Sequence, residues 1–365
     1  MKLTINDCSD LRDIFLILKK KASRSDGILS YVLLEGHDDE TITLTVTDFT
    51  TTKTIAVEGS VEEPGAVAID LYDFDKIAKP LKKQGGPLTF ELEDANWVSV
   101  SHKKLDFRLN GEHVDDFPSV PDFTSPQYTS LDVDRITEVL ESTRKAISSD
   151  DARANLTGLY FDGEIAVSTD GHRLRKMKVG ADKIDEMIIP GDAIEIVRYA
   201  IKKIKSDEIL YAVHDGHAFF AVGDLVVSSR EIEGSFPDYT QVLPKASKER
   251  ARVDVADLIE GLKLIEPFVL SKTKNVRFSL SDDGLEVYAS DPGTGEGKSL
   301  VPCDYAGAPV KAGFNVDYLF DAFKDFDGEI LIDLTGTLSP CSIVDAEKAD
   351  KGDEEDVWIV MPMRL

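Results

Sequence analysis

Ile165-Ala-Val167-Ser-Thr169-Asp170-Gly171-His172-Arg173-Leu174 is the stretch that decides the fold. Its first half alternates apolar and small polar residues, the pattern of a half-buried strand, and stops at Asp-Gly, a turn pair. The same strand running into an aspartate stands at Leu44-Thr-Val46-Thr-Asp48 and at Leu285-Glu-Val287-Tyr-Ala-Ser290-Asp291, so the three aspartates lie 122 and 121 residues apart. Helical patterns recur in step. Leu11, Ile14, Phe15 and Leu18 follow Asp10; Ile136, Val139, Leu140 and Ile147 follow Asp134; Leu258, Leu262 and Ile265 follow Asp257. Each has apolar residues at the i, i+3, i+4 spacing that lines one face of a helix, with an acid at its start. A second helix recurs about 60 residues later, in Phe74, Ile77, Ala78 and Leu81, in Ala193, Val197, Ala200, Ile201 and Ile204, and in Val316, Leu319, Phe320 and Phe323. Markers in register at a fixed period define a repeat. The chain therefore reads as three units of roughly 120 residues, each of two helices and several strands.

Between the helices, Val32–Leu34, Ile42–Val46, Ile209–Val213, Phe219–Val222 and Ile330–Leu334 are short, β-branched or alternating runs bounded by Gly, Asp or Asn. His214-Asp215-Gly216-His217 places Asp-Gly between two such runs and predicts a hairpin. Proline-bearing joints stand at Phe117-Pro-Ser-Val-Pro-Asp122 and from Phe236-Pro-Asp-Tyr239 to Ser247, where proline blocks helix and central strand alike. The fold class is α+β, with pairs of helices packed on antiparallel sheets in three domains, 1–125, 126–248 and 249–365.

The 365 residues include 42 Lys plus Arg against 68 Asp plus Glu, a net charge of −26. That charge excludes a protein whose whole surface coats nucleic acid or an anionic membrane. Three separated cysteines (Cys8, Cys303 and Cys341) give neither a disulfide framework nor a cysteine zinc site. The start, MKLTINDCSD, lacks the apolar stretch of a signal peptide, and no run reaches the ~20 apolar residues of a membrane span. A cytoplasmic, soluble protein is expected.

Catalytic motifs find little support. Pro292-Gly-Thr-Gly-Glu-Gly-Lys-Ser299 resembles a phosphate-binding loop, but its glycine stands one residue too close to Gly-Lys-Ser and no helix pattern follows. A glycine-rich hairpin turn is expected instead. His214 and His217 form a polar pair at a hairpin tip with no third ligand placed by sequence, so no metal site is expected. Asp170, His172 and Arg173 sit too close in sequence to converge on one substrate atom. Cations, by contrast, gather on the helices: Arg12, Lys19, Lys20, Lys21 and Arg24; Lys76, Lys79, Lys82 and Lys83; Arg135, Arg144 and Lys145; Arg198, Lys202, Lys203 and Lys205. They complement helix C-terminal dipoles, or they make one face positive in an otherwise acidic protein. The run Asp345–Asp356 reads as a solvated loop. The apolar end, Val357-Trp-Ile-Val-Met-Pro-Met-Arg-Leu365, reads as a docked edge strand or as an adaptable apolar binding surface.

Thr169-Asp-Gly-His-Arg-Leu174, Phe236-Pro-Asp-Tyr239 with Val242-Leu-Pro-Lys245, Gly313-Phe-Asn-Val316 with Tyr318, and Val360-Met-Pro-Met-Arg-Leu365 together resemble the bacterial DNA polymerase III β subunits, the sliding clamps, along the whole chain in order. The resemblance implies two three-domain crescents joined head to tail in a closed ring around duplex DNA, helices inside and sheets outside, with no catalysis and no cofactor. It implies a pocket for a short apolar peptide, formed by Leu156, Thr169, Gly171, His172, Arg173, Leu174, Pro237, Val242, Asn315, Tyr318, Val360, Met361, Pro362 and Met363. Through that peptide the clamp would hold the polymerase III α subunit, the clamp loader, other polymerases and repair proteins. It also implies DNA contacts at Lys20, Arg24, Lys82, Arg153 and Lys202, and dimer contacts of Phe107 and Leu109 against Val269 and Leu270. This chain departs from better-known members at Gln241 and Pro340, at Ala154 and Asn155 in the Arg153 loop, and in the glycine-rich Gly293–Ser299. A clamp-like interaction scaffold that does not encircle DNA, and a nucleotide hydrolase using Gly293–Ser299, are the competing readings.

Overall fold

A computed structural model describes residues 1–24, 27–93, 96–103, 105–181, 184–243 and 250–364. Pro244, Lys245 and Ser247 of the second joint, the domain boundary expected at 248/249, and Leu365 lie outside the described residues. The chain divides into two compact units, residues 1–137 with 189–232, and residues 138–188 with 233–365. The middle repeat is thus shared, one half belonging to each unit.

The first unit contains a thirteen-stranded sheet. Its order runs from Thr129–Leu131 through Ile209–His214, His217–Val222 and Leu225–Arg230 to Thr51–Val57, Ile42–Thr47, Tyr31–Gly36 and Gly65–Asp70, and ends with Leu105–Glu112, Trp97–His102, Leu88–Leu92, Lys2–Ile5 and Gly59–Glu63. The join between repeats is the antiparallel pairing of Thr51–Val57 with Leu225–Arg230, in the register Ser229↔Thr51 to Leu225↔Ile55. Helices α1 (Leu11–Leu18), α2 (Leu71–Leu81) and α4 (Gly191–Ile204) bury their apolar stripes here. Phe15 meets Phe74 at 4.7 Å and Phe74 meets Phe90 at 5.5 Å, both edge to face, an arrangement that adds to the area term.

The second unit holds an eight-stranded sheet, ordered Ile184–Pro190, Gly158–Gly163, Ile165–Thr169, Arg173–Lys178, Val357–Val360, Cys341–Asp345, Glu329–Asp333 and Ala251–Asp254, and a four-stranded one, ordered Gly295–Val301, Gly284–Asp291, Asn275–Ser281 and Val310–Asn315. The terminal strand Val357–Val360 is therefore interior, flanked on both sides, and not the edge strand read from its proline. Pro362 lies beyond the paired residues, so it removes no ladder hydrogen bond. Helices α5 (Val255–Ile265) and α6 (Val316–Phe323) bury Leu258, Leu262, Ile265, Leu319 and Phe323 against these sheets.

The repeat markers have a common physical cause. At each strand end the aspartate side chain closes the turn by accepting backbone N–H groups: Asp48 from Thr50 (3.0 Å) and Thr51 (2.7 Å), Asp170 from His172 (2.8 Å) and Arg173 (3.0 Å), and Asp291 from Gly293 (2.7 Å). The acids read as helix starts mostly stand inside the first turn. Asp70 and Asp254, three residues ahead of Asp73 and Asp257, cap α2 and α5 through their side chains, and Asp10 caps nothing. The run Asp345–Asp356 is not all loop. Asp345 accepts from Lys348 N (2.8 Å) and starts a short helix, α7 (Ala346–Asp350), while Arg252 grips Asp350 and Arg250 grips Glu354. Among the described residues no helix is long and apolar enough to cross a membrane.

Candidate functional site: an apolar pocket beside the Asp170 turn

The turn after strand Ile165–Thr169 is fixed from several sides. Thr169 Oγ1 accepts from Gly171 N (3.1 Å) and donates to Arg173 O (2.6 Å), and Gly171 takes φ +87°, a conformation that other residues adopt only under strain. Arg173 Nε binds Asp170 at 3.1 Å, its Nη1 donates to Asp321, and its guanidinium lies 4.4 Å from the Tyr318 ring centroid. The His172 ring lies near-parallel to the same phenol, with centroids 6.4 Å apart at 18°. Burial raises the Tyr318 phenol above its ordinary pKa, with the Asp170 charge adding to it, so the ring is a neutral platform.

The chain terminus is laced onto this turn. Strand Val357–Val360 pairs with Arg173–Lys176, Met361 N donates to His172 O (2.8 Å), and Met363 N donates to Gly313 O (2.7 Å). Phe236 of the second joint stacks on Tyr160 at 4.7 Å, and Tyr239 donates its hydroxyl to Asp162 (2.9 Å). Burial, then the bond to Asp162, pushes the Tyr239 phenol up to about 12. A hollow of about 280 Å³ opens between terminus, turn and joint.

Of the residues expected in a peptide pocket, Leu156, Thr169, Gly171, Arg173, Leu174, Pro237, Val242 and Met361 line this hollow. His172 and Tyr318 stand next to it as the stacked pair, Pro362 and Met363 continue from Met361, and Asn315 caps α6 by accepting from Asp317 N (2.9 Å). Val360 faces the other way, fully buried in the C-terminal core. The lining also includes Arg153, Asp238, Tyr239 and Ile359, which the pocket reading omits. Ile359 was open to detection, since residues two apart on a strand share a face and Ile359 precedes Met361 by two. Asp238 accepts from Thr240 N (3.1 Å) and from Gln241 Nε2 (2.9 Å), which gives Gln241 a local role in shaping the joint.

The expected DNA contacts fall in different surroundings. Arg153 is held by Asp150 (3.1 Å) and donates to Asp170 O (3.0 Å), at the pocket wall. Lys20 and Lys203 converge on the Tyr199 ring at 5.5 and 5.6 Å, and Arg24 lies over Tyr72 at 5.3 Å. This brings cations from the ends of α1 and α4 onto one ring. Lys82 is paired with Asp13 at 2.7 Å, and Lys202 is exposed with no partner among the described residues.

The strands at the expected dimer contacts each have an open edge among the described residues. Leu105–Glu112 pairs along its length with Trp97–His102 on one side, but on the other only Gly111 and Glu112 are paired. Phe107 and Leu109 are half-buried on that strand. Gly295–Val301 pairs only with Gly284–Asp291, and Val269 and Leu270 follow the turn Glu266–Phe268 that packs on it. A Cβ at Gly297 would come within 2.4 Å of the Phe268 ring, so the glycine-rich strand is what lets that ring lie flat. Gly293–Ser299 is a hairpin turn and strand, without the helix that a phosphate loop needs. His214 and His217 face each other across their turn, and among the described residues no cluster of three His, Cys, Asp or Glu is arranged to hold a metal.

Comparison with known proteins adds independent findings. Residues 130–238 match the family model described as DNA polymerase III beta subunit, central domain, and residues 240–364 match that family's C-terminal domain. The chain is 28% identical to the beta sliding clamp of Synechococcus elongatus over 100% of both chains. It is 27% identical to the beta sliding clamp of Escherichia coli K12, covering 93% of this chain and 92% of that one. Among solved structures, the DNA polymerase sliding clamp of Pseudomonas aeruginosa superposes with a TM-score of 0.90 at 24% identity, over 100% of each chain.

Proposed function

We infer that this chain, which belongs to the DNA polymerase III beta subunit family, is a DNA sliding clamp: a homodimeric ring that encircles duplex DNA and tethers the replicative polymerase and other DNA-processing proteins. It is a non-catalytic accessory subunit. The observation that carries the reading is the hollow of about 280 Å³ between the Asp170 turn and Met361, in a chain that aligns from end to end with beta sliding clamps. A concave, mainly apolar site with a few convergent polar groups suits a short linear peptide. We assign that role to Leu156, Thr169, Gly171, His172, Arg173, Leu174, Pro237, Val242, Asn315, Tyr318, Met361, Pro362 and Met363, with Val360, buried behind them, anchoring the strand that carries Met361. The peptides belong to the polymerase III α subunit, the clamp loader, other polymerases and repair proteins. Replacing His172 by Ala removes the ring that lies near-parallel to Tyr318, and deleting 361–365 removes the wall. Either change is expected to abolish binding of an apolar clamp-binding peptide, measured by fluorescence anisotropy, while the dimer stays intact. Unchanged affinity would overturn the assignment.

We further propose that Lys20, Arg24, Lys82, Arg153 and Lys202 attract phosphates without reading bases, which permits sliding along any sequence. The domains are taken as 1–125, 126–248 and 249–365, and the site of action as the cytoplasm. The open edge carrying Phe107 and Leu109 would add to the edge beside Val269 and Leu270 of a second copy, removing two unpaired edges at once. Light scattering across a dilution series tests this first. A dimer that persists, followed by loader-dependent retention on circular but not linear DNA, supports the ring. A monomer at micromolar concentration would favour a scaffold that does not encircle DNA.

A further inference from the structure

A larger hollow lies in the first compact unit, far in sequence from the Asp170 turn. It is about 440 Å³, within the ~300–1,000 Å³ range of binding pockets, and is formed by α1, the strand end at 55–58, the last turn of α4 and Asp224. Its floor is apolar, and Ile14, Val57 and Ile204 remain half-exposed in it. Its rim is acidic. Asp7 and Asp13 have structural duties: Asp7 accepts from Ser9 N and Gly86 N (2.9 Å each), and Asp13 holds Lys82. Glu58 and Asp224 have none of this kind, and Asp10 accepts only a long bond from its neighbour Ser9 Oγ (3.5 Å). Asp10 does not cap α1, and none of the three carboxylates meets a cation among the described residues. The single cation in the lining, Lys203, is drawn to the Tyr199 ring.

We propose that this hollow is a second docking site, for a short linear segment of a partner protein in which apolar side chains are interspersed with Lys or Arg. Three carboxylates without a cationic partner among the described residues, around half-exposed isoleucine and valine side chains, repel nucleic acid and complement that chemistry. The acids steer and select, and the apolar floor supplies the contact area that holds the segment. The site is distinct from the pocket beside Met361: one takes an apolar peptide, the other a basic one.

The test uses the full chain and a fluorescein-labelled heptapeptide, Lys-Leu-Leu-Lys-Leu-Leu-Lys, with Glu in place of Lys as its control. Saturable anisotropy with the Lys peptide and none with the Glu peptide is expected. Asp10→Lys with Asp224→Lys should weaken binding at least tenfold, as should Ile204→Ser, with the thermal midpoint unchanged. Asp115→Lys with Asp116→Lys, at exposed acids elsewhere, should leave binding alone, and so should deletion of 361–365. Failure of the Lys peptide to bind would overturn the proposal. Equal weakening by the Asp115 and Asp116 changes would also overturn it, by showing general attraction to an acidic chain. Loss on deletion of 361–365 would move the binding to the other pocket and overturn it too, without touching the clamp reading.

Discussion

Strand Thr51–Val57 in the first compact unit and strand Arg173–Lys178 in the second hold the same place in their repeats, yet only the second borders a hollow beside its aspartate turn. Each follows an aspartate turn, and each pairs with a strand brought from another repeat. The closing hydrogen bond is the same: Arg230 N donates to Thr50 O and Met361 N donates to His172 O, both at 2.8 Å. Both strands also carry a buried cation two residues into the pairing. Lys53 reaches the α1 carbonyls of Leu18 and, at 2.8 Å, Lys20 O, while Arg175 Nε donates to Ser142 Oγ (2.7 Å) at the end of α3 (Val133–Thr143). The third repeat has Glu296 at this place, exposed on an edge strand with no helix end to hold. The frame is shared, so the hollow arises from what hangs on it. The turn tip is Gly171 in one repeat and Phe49, at φ +71° and 60% exposed, in the other. Beside the pairing stand Leu174 and Ile359 in one, and the hydrogen-bonded pairs Thr45–Thr54 and Thr47–Thr52 in the other. The joints differ as well. Phe236 brings Pro237 and Val242 to the hollow, whereas Phe117 packs onto Leu33 and Ala68.

The hardest way to break this comparison is to make the second turn like the first. Gly171→Phe forces a side chain into φ +87° and against Arg153 Nη1, 2.8 Å from the new Cβ. Apolar peptide binding is expected to fall at least ~100-fold, or ~2.7 kcal/mol, by anisotropy. Circular dichroism should report a folded chain, because the same turn tolerates phenylalanine at Phe49. Retained affinity would show that the glycine does not shape the pocket.

The buried cations sharpen the comparison further. Arg175→Met takes the buried guanidinium away from Ser142 Oγ, while Lys145 still pairs with Asp325, and should cost ~1–3 kcal/mol. Lys53→Met strands two carbonyls and should cost ~2 kcal/mol, both read by urea unfolding. The pH dependence separates them. Burial pulls the Lys53 ammonium down to about 7, against ~10.4 in an unfolded chain. Between those values the unfolded state binds more protons than the folded one, so stability rises with pH across that window. Wild type should therefore gain on Lys53→Met as pH goes from 7 to 10. It should keep a constant margin over Arg175→Met, since arginine stays charged throughout. A flat Lys53 profile would mean that its carbonyl partners outweigh its burial.

These cations mark the limit of what the sequence discloses. The threefold repeat was legible because the turn chemistry demands aspartate at 48, 170 and 291, and because most of the apolar stripe of each helix is buried, with Ile14, Ile77, Ile204 and Phe320 half-exposed and Ile147 beyond the end of α3. Nothing in the sequence around Lys53 or Arg175 says that a helix end will lie within reach of the side chain. The resemblance supplied much of the pocket, but Tyr239 and Asp238 enter it only because Phe236 lands on Tyr160, a contact between residues 76 apart. The helix within Asp345–Asp356 depends on Asp345 acting as a cap, a signal that its many neighbouring acids obscured.

The mildest test runs the other way, from Phe49 to Gly. Removing the side chain relieves a left-handed residue, worth ~1–2 kcal/mol, but frees the unfolded chain by ~0.5–1 kcal/mol and forfeits the part of the ring that is packed. Stability should rise by no more than ~0.5 kcal/mol on urea unfolding. Titration calorimetry with the apolar peptide should still give one site per chain at unchanged affinity. Glycine at the turn is necessary for a hollow but not sufficient, because the threonine pairs and the path of Phe117 leave no apolar wall for a peptide to meet. A second apolar-peptide site appearing in Phe49→Gly would mean that the tip residue alone separates the two turns, and that the differing walls and joints have no part in it.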